Sequence, residues 1–244
     1  MPFLQGEKVS KYFGGIAALS ELDFEVREGE ILGLIGANGA GKTTLFNIIS
    51  GVYNSSAGTV KLAGQTINGL KPYQICRKGI GRTFQIVKTF RNLTVLKNVM
   101  VGSLFGTERA KSLLSAEQEA GDILNFVGLA DRDNVPAQAL TLADRKRLEL
   151  ARALSTEPRL LLLDEVLAGL NPSETLKAMK LVERIRQEKG ITVFMIEHVM
   201  KALMGLSDRV IVLHHGKKIA QGTPREVAND PRVIEAYLGS PGVA

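Results

Sequence analysis

The sequence predicts an α/β fold with a mainly parallel sheet, an N-terminal antiparallel β subdomain and an inserted α-helical subdomain. In the C-terminal part, short apolar runs alternate with segments whose apolar residues have helical spacing. This alternation is typical of a parallel sheet with helices between its strands. Residues 90–158 have helical spacing and little strand signal. We therefore expect one domain over residues 1–244, with residues 1–89 and 159–244 as the core with its β subdomain.

The N-terminal part predicts two strands, a helix and a returning strand. Residues 22–26 alternate between apolar and polar, as in a strand with one buried face, so an antiparallel opening is plausible. Residues 31–35 are apolar throughout, as in a strand covered on both faces, and a glycine-rich turn separates them from a helix over residues 42–50. Residues 58–62 predict a short returning strand.

The later elements follow from the spacing of apolar residues. Helices in the inserted subdomain are expected at residues 95–100, 116–127 and 144–154. Buried strands are expected at residues 160–163, 192–196 and 210–213, with helices at 173–188 and 199–206 between them.

Composition narrows the function classes. The chain has 45% hydrophobic residues, enough for a substantial core, and 31 basic against 25 acidic residues, without a compact basic tract. Nucleic acid is therefore not an expected partner. Its single cysteine, Cys76, fits a reducing compartment, and no apolar run approaches the roughly 20 residues that span a bilayer. The N-terminus has no secretory signal pattern, so we expect the cytosol.

The turn between residues 31–35 and 42–50 matches the phosphate-binding pattern G-x-x-x-x-G-K-[ST]. Its glycines allow backbone N–H groups to point at phosphate oxygens, and the helix N-terminus adds its positive dipole end. Lys42 can reach the β and γ phosphates, and the Thr43 hydroxyl can coordinate Mg²⁺. The alternative is a strand-to-helix turn without a ligand. The matching residues are Gly36, Ala37, Asn38, Gly39, Ala40, Gly41, Lys42 and Thr43.

Two carboxylates end the apolar run at residues 160–163. Asp164 is predicted to hold Mg²⁺, directly or through water. Glu165, one position on, is predicted to orient and deprotonate the attacking water. The alternative is that the pair merely solvates a strand end or caps the next helix.

Further segments resemble the ATP-binding-cassette (ABC) ATPases, a P-loop NTPase family. Residues 140–154 resemble its signature segment, and residues 168–172 its D-loop. Gln85 is similar to the Q-loop glutamine, His198 to the switch histidine, and Phe13 to the aromatic residue that stacks on adenine. The order of these motifs agrees with the family over nearly the whole chain.

The resemblance implies ATP as the nucleotide, with Thr44, Thr141 and Ala143 among the residues that bind it. It also implies Gln85 as a ligand of Mg²⁺, and Gln85, His198 and Lys42 as catalytic residues beside Glu165. Two subunits would clamp two ATP molecules head to tail, each signature facing the phosphates held by the other. The second ATPase could be an identical or a different subunit.

The same resemblance implies a place in a membrane transporter. The implied partners are transmembrane permease subunits, with a periplasmic binding protein involved only indirectly. The implied location is peripheral, on the cytoplasmic face of the inner membrane, and cytoplasmic when unassembled.

Within the family, residues 79–85, 90–99 and 231–239 resemble the ATPases of branched-chain amino acid importers. Urea importers and lipopolysaccharide exporters share parts of this pattern, so they remain alternatives. A soluble nucleotide-gated regulatory module is an alternative of another class. ATP-driven dimer closure that powers amino acid import is the leading interpretation.

The signature departs from the usual L-S-G-G-Q. Thr141 keeps a hydroxyl that can cap the following helix. Ala143 loses the freedom of glycine at positive φ, and Asp144 brings a carboxylate near a polyphosphate, a repulsion on the order of 1 kcal/mol or more. One hypothesis is a weaker signature face that pairs with a different ATPase; the other is that backbone N–H groups do the binding.

Overall fold

The computed structural model describes residues 2–85, 88–107, 110 and 112–238. The chain divides into two compact units. The first unit contains Met1–Pro72 and Thr192–Ala244, and the second contains Tyr73–Ile191. The proposed limits of the helical subdomain, residues 90–158, stay a prediction.

Strands and helices alternate along most of the chain. Their order is β1 (Leu4–Phe13), β2 (Ile16–Val26), β3 (Ile31–Gly36), α1 (Lys42–Ile49), β4 (Ala57–Leu62), β5 (Gln65–Thr66), α2 (Pro72–Arg77), β6 (Ile80–Arg82), α3 (Val95–Phe105), α4 (Leu113–Val127), α5 (Leu142–Leu154), β7 (Leu160–Asp164), α6 (Pro172–Lys189), β8 (Thr192–Ile196), α7 (Met200–Leu206), β9 (Arg209–His214), β10 (Lys217–Gly222), α8 (Pro224–Ala228) and α9 (Pro231–Leu238).

An antiparallel sheet of the first unit has the strand order β2-β1-β4-β5. Strand β1 pairs with β2 from Leu4 opposite Val26 to Phe13 opposite Ile16, with register shifts along the way. The predicted strand at residues 22–26 is thus the end of a longer one. These shifts interrupt the alternation of buried and exposed residues along β1. Because its sequence is also largely polar, β1 has no strand pattern that the sequence could reveal.

A second set of strands in the first unit is built around β3. Strand β3 lies between β8 and β9 and is parallel to both, while β10 is antiparallel to β9. All six residues of β3 and all five of β8 are buried. Aromatic rings link β8 to α1 and β2. The ring centre of Phe194 in β8 lies 5.1 Å from that of Phe46 in α1 and 6.3 Å from that of Phe24 in β2. The apolar runs read from the sequence are therefore core strands.

In the described residues, the second unit contains the parallel pair β6 and β7, helices α3 to α6 and all of α2 but its first residue. Strand β7 is fully buried, and α3 packs against α4 and α5. The predicted α/β fold class is confirmed, including its parallel and antiparallel strands. Across the described residues, no helix combines the length and hydrophobicity needed to cross a bilayer.

Candidate functional site

The glycine-rich loop joins β3 to α1. Gly41 is the N-cap residue of α1 with a left-handed φ of 104°, and a Cβ atom there would lie 2.5 Å from the carbonyl oxygen of Ala18. Gly39 also has a positive φ, of 79°. Only glycine adopts these conformations without strain, and at Gly41 only glycine fits. The loop therefore curls as the sequence pattern predicts.

The side chain of Lys42 is folded onto the loop. Its Nζ donates to the carbonyl oxygens of Gly36 at 2.6 Å and Ala37 at 3.0 Å, and only 7% of the residue is exposed. Thr43 is exposed, and Thr44 is half-buried. An ammonium group and the positive end of α1 thus meet at one loop, and this arrangement favours anionic ligands.

The turn between β9 and β10 supports the loop. The N–H of Gly216 donates to the carbonyl oxygen of Ala40 at 3.1 Å, and the carbonyl oxygen of Gly216 accepts from the N–H of Ser20 at 2.9 Å. Gly216 has a φ of 75°. Sequence reasoning missed this support, because a lone glycine after His214 and His215 gives no signal of its long-range partner.

Phe13 lies at the surface of the first unit with two further side chains. Its ring, 43% exposed, meets the ring of Tyr53 edge-on at 5.4 Å. The Nζ of Lys11 lies 5.1 Å from the centre of the Phe13 ring and donates to the carbonyl oxygen of Asn54 at 2.8 Å. Phe13 is therefore an accessible aromatic face, and Tyr53 and Lys11 are neighbours that the sequence did not indicate.

His198 belongs to the first unit as well. It is exposed and lies between the end of β8 at Ile196 and the start of α7 at Met200. The preceding residue, Glu197, is buried. His198 therefore follows a core strand at a distance of two residues, and its catalytic role stays a prediction.

Asp164 is the last residue of β7 and is 2% exposed. Its Oδ2 accepts from NH2 of Arg82 at 3.1 Å, and its N–H donates to Oγ1 of Thr83 at 3.1 Å. Burial lowers the pKa of the Arg82 guanidinium, and the Asp164 carboxylate opposes that shift. In the sequence, Arg82 was noted only as part of the segment 79–85, from which this ion pair could not be predicted.

Glu165 has the left-handed backbone conformation, with a φ of 54°, which is uncommon outside glycine. Its Oε2 accepts from Nε2 of the exposed Gln85 at 2.9 Å, and its carbonyl oxygen accepts from Nζ of Lys146 at 2.8 Å. The second unit thus brings Gln85 and Glu165 together, as two of the predicted site residues. Lys146 is a contact that the sequence did not predict.

Helix α5 begins at the divergent signature. Thr141 is its N-cap residue, and its hydroxyl accepts from the N–H of Asp144 at 3.2 Å. Ala143 lies within the helix and is not among the residues with positive φ, so this conformation does not require glycine there. The Asp144 carboxylate lies 3.5 Å from the Arg147 guanidinium, which partly neutralises its charge.

Glu149 of α5 is a buried carboxyl group. Its Oε1 accepts from the N–H of Phe84 at 2.9 Å. Burial raises the pKa of Glu149 to about 7, against the backbone N–H groups of Phe84 and Lys88, which lower it. Arg152 also lowers it and donates to the carbonyl oxygen of Lys88. Two residues of α5 are therefore bonded to the segment that contains Gln85.

A strand, a glycine loop and a helix that begins with lysine define a P-loop nucleotide-binding protein. Residues 19–168 match the family model described as ABC transporter. Residues 217–242 match the model described as branched-chain amino acid ATP-binding cassette transporter. The chain belongs to the ABC transporter ATPase family, which confirms the predictions of a transport-coupled P-loop ATPase and of nucleotide binding.

Curated relatives match over nearly the whole chain. The chain is 42% identical to the high-affinity branched-chain amino acid transport ATP-binding protein LivG of Salmonella typhimurium, over 98% of each chain. It is 41% identical to LivG of Escherichia coli with the same coverage. It is 38% identical to BraF of Pseudomonas aeruginosa, again over 98% of each chain.

Solved structures agree with the fold. A nucleotide-free ATP-binding cassette from an ABC transporter has a TM-score of 0.88 and 31% identity, covering 98% of this chain and 100% of that one. A cassette in its ADP conformation gives the same values. A dimeric cassette bound to ADP and phosphate has a TM-score of 0.82 and 27% identity, covering 91% of this chain and 99% of that one.

Proposed function

We propose that this chain is the ATP-hydrolysing subunit of an importer for branched-chain amino acids. The observation that carries the proposal is its 42% identity to LivG over 98% of both chains. The match of residues 217–242 to a family model for branched-chain amino acid cassettes supports the same substrate class. Urea import, lipopolysaccharide export and soluble regulation are the alternatives that the sequence left open.

In this proposal the loop of residues 36–44 binds the phosphates of ATP. Lys42 exchanges its two carbonyl partners in the loop for β and γ phosphate oxygens, which carry more charge. Loop N–H groups and the N-terminus of α1 bind the remaining oxygens. Phe13 offers its exposed ring for stacking on adenine.

The donor set of the chain fits Mg²⁺. In the part of the chain that the structure describes, no three or more His, Cys, Asp or Glu side chains form a metal cluster. Mg²⁺ bound with a nucleotide needs only one or two carboxylates beside phosphates and water, and it prefers oxygen ligands. Thr43, Gln85 and Asp164 supply such oxygens. Bound Mg²⁺ would supply charge neutralisation at the β and γ phosphates.

Hydrolysis is assigned to Glu165 as the general base. Water attacks the γ phosphorus, its proton passes to the Glu165 carboxylate, and the bond from that phosphorus to the bridging oxygen of ADP breaks. Gln85, which donates to Glu165, orients the carboxylate. His198 is proposed as a further catalytic residue, since its segment resembles that of the family's switch histidine and it is exposed just after β8.

Transport requires partners. We propose an ATP-driven dimer with a second ABC ATPase subunit, identical or different, in which Thr141 and Ala143 at the start of α5 face the nucleotide of the partner. The dimeric cassette among the solved relatives supports this assembly. Membrane permease subunits would dock on the dimer at the cytoplasmic face of the inner membrane, and a periplasmic binding protein would act only through them.

Substitution of the general base tests the ATPase. In the Glu165→Gln variant, ATP should bind without turnover, so ATP-dependent dimers should accumulate in size-exclusion chromatography, alone or with a candidate partner ATPase. Glu117→Gln, which neutralises an exposed carboxylate on α4, is the matched control and should form no stable dimer. If the Glu165→Gln variant forms no ATP-dependent dimer in any pairing, the proposed clamp is wrong.

Uptake by cells tests the substrate. Deletion of the gene should abolish ATP-dependent uptake of radiolabelled leucine, and the wild-type gene should restore it whereas the Lys42→Ala variant should not. Urea uptake and lipopolysaccharide export in the same strains serve as comparisons. Unchanged leucine uptake with loss of either of the other two would assign the chain to that transporter instead.

A further inference from the structure

Helix α5 carries two buried ionisable residues in its interior. Lys146 is 8% exposed and Glu149 is 5% exposed. Residues three positions apart lie on the same side of a helix, so both side chains point the same way. Burial of charged groups is unfavourable unless they are hydrogen-bonded, so each side chain is held by specific partners.

The partner of Lys146 is the backbone of the proposed general base. Its ammonium group donates to the Glu165 carbonyl oxygen at 2.8 Å. Glu165 is held at a φ of 54°, a conformation that costs energy outside glycine and persists only where the surroundings enforce it. A hydrogen bond from a charged donor is about twice as strong as a neutral one, so Lys146 stabilises this conformation.

The partners of Glu149 flank Gln85. Glu149 accepts from the N–H of Phe84 at 2.9 Å, and also from the N–H of Lys88. Arg152, one turn further along α5, donates to the carbonyl oxygen of Lys88. The backbone on both sides of Gln85 is therefore fastened to α5.

The two sets of bonds meet in one side-chain contact, because Gln85 donates to Glu165 at 2.9 Å. We propose that Lys146 and Glu149 are positioning residues that fix Glu165 and Gln85 against each other for ATP hydrolysis. The inference rests on the proposed function and adds two residues to it as supports of Glu165 and Gln85, with no proposed contact to nucleotide or metal. Since a misplacement of about 1 Å can lower a rate about a hundredfold, loosening either bond should slow turnover.

Lys146 variants test the first bond, with ATP turnover by the full-length chain measured as phosphate release. Lys146→Met should lower kcat about tenfold or more while KM for ATP stays within about twofold, because the phosphate-binding loop is unchanged. Lys146→Arg keeps a charged donor and should recover most of the lost kcat. Lys180→Met removes an exposed lysine from α6 and should leave both constants unchanged.

Glu149 variants test the second bond in the same assay. Glu149→Ala removes the acceptor for Phe84 and should lower kcat about tenfold. Glu149→Gln keeps one acceptor oxygen and should recover much of it. A double variant, Lys146→Met with Glu149→Ala, should lose less than the product of the two single effects, because both residues act on one contact.

The outcomes separate the two proposals. If wild-type protein hydrolyses ATP and both the Lys146→Met and the Glu149→Ala variants keep its kcat, the positioning role is refuted and the proposed function stands. A loss of kcat that the Arg and Gln variants do not recover, or that follows a fall in Tm, refutes it too and indicates a purely structural role. Absence of hydrolysis by wild-type protein, alone and with partner subunits, instead refutes the proposed function.

Discussion

The Glu149 carboxyl group should make folding stability depend on pH. It is 5% exposed, and burial raises its pKa from 4.5 to about 7. Backbone N–H groups of Phe84 and Lys88 lower the pKa without cancelling this shift. The perturbation that reveals the effect is Glu149→Gln, because glutamine has a similar shape and does not titrate.

The sign and size follow from proton linkage. Between pH 4.5 and pH 7 the folded protein keeps the Glu149 proton that the unfolded chain has already released. The free energy of unfolding therefore falls as pH rises through this range. The slope is about 1.4 kcal/mol per pH unit where Glu149 is fully protonated in the folded protein and fully ionised in the unfolded chain. From pH 5 to pH 7.5 the wild-type protein should lose about 2 kcal/mol relative to the variant.

Urea unfolding at pH 5 and pH 7.5 measures this difference. Any difference in hydrogen bonding between the amide and the carboxyl group that does not depend on pH cancels when the two pH values are compared. The effects of all other titrating groups are common to the two proteins and cancel as well. Equal m values would verify that both proteins expose the same surface on unfolding. Glu117→Gln is the control, since its carboxylate is exposed. A stability difference between wild type and Glu149→Gln that is the same at both pH values would refute the reasoning.

Three further predictions concern single contacts. Gly41→Ala should lower the affinity for a fluorescent ATP analogue at least about tenfold, because its φ is 104° and the new Cβ would lie 2.5 Å from a backbone carbonyl oxygen. Gly121→Ala is the control and should leave the affinity unchanged, because a Cβ there meets nothing within 4 Å. Thr141→Ala should lower the free energy of unfolding by about 1 kcal/mol, because it removes the hydroxyl that caps α5. Thr141→Ser keeps that hydroxyl and should cost less, so equal losses in the two variants would contradict the capping role. Arg82→Met should lower the free energy of unfolding, measured in urea, by about 3–5 kcal/mol, because it removes the guanidinium from the buried Asp164. The double variant with Asp164→Asn should recover part of this loss, and fully additive effects of the two substitutions would contradict the pairing.

Much of the fold could be predicted because the signals are local. Strands β3, β7, β8 and β9 are short apolar runs, and their bounds differ from the predicted ones by at most one residue at each end. Strands β1 and β10 were missed because their sequences are largely polar, and β10 is a strand only through its antiparallel pairing with β9. Such pairing depends on a partner segment, so it leaves no periodic pattern in the strand itself.

The sequence by itself determined the glycine-rich loop before α1, the Asp164–Glu165 pair and the capped start of α5, because each depends on residue types at fixed, short spacings. Only the tertiary structure decided which side chains hold these groups. Arg82 meets Asp164 across 82 positions, and Phe84 meets Glu149 across 65. Contacts at such separations arise from the packing of β6, β7 and α5, and the residues that make them carry no local pattern from which a partner could be read.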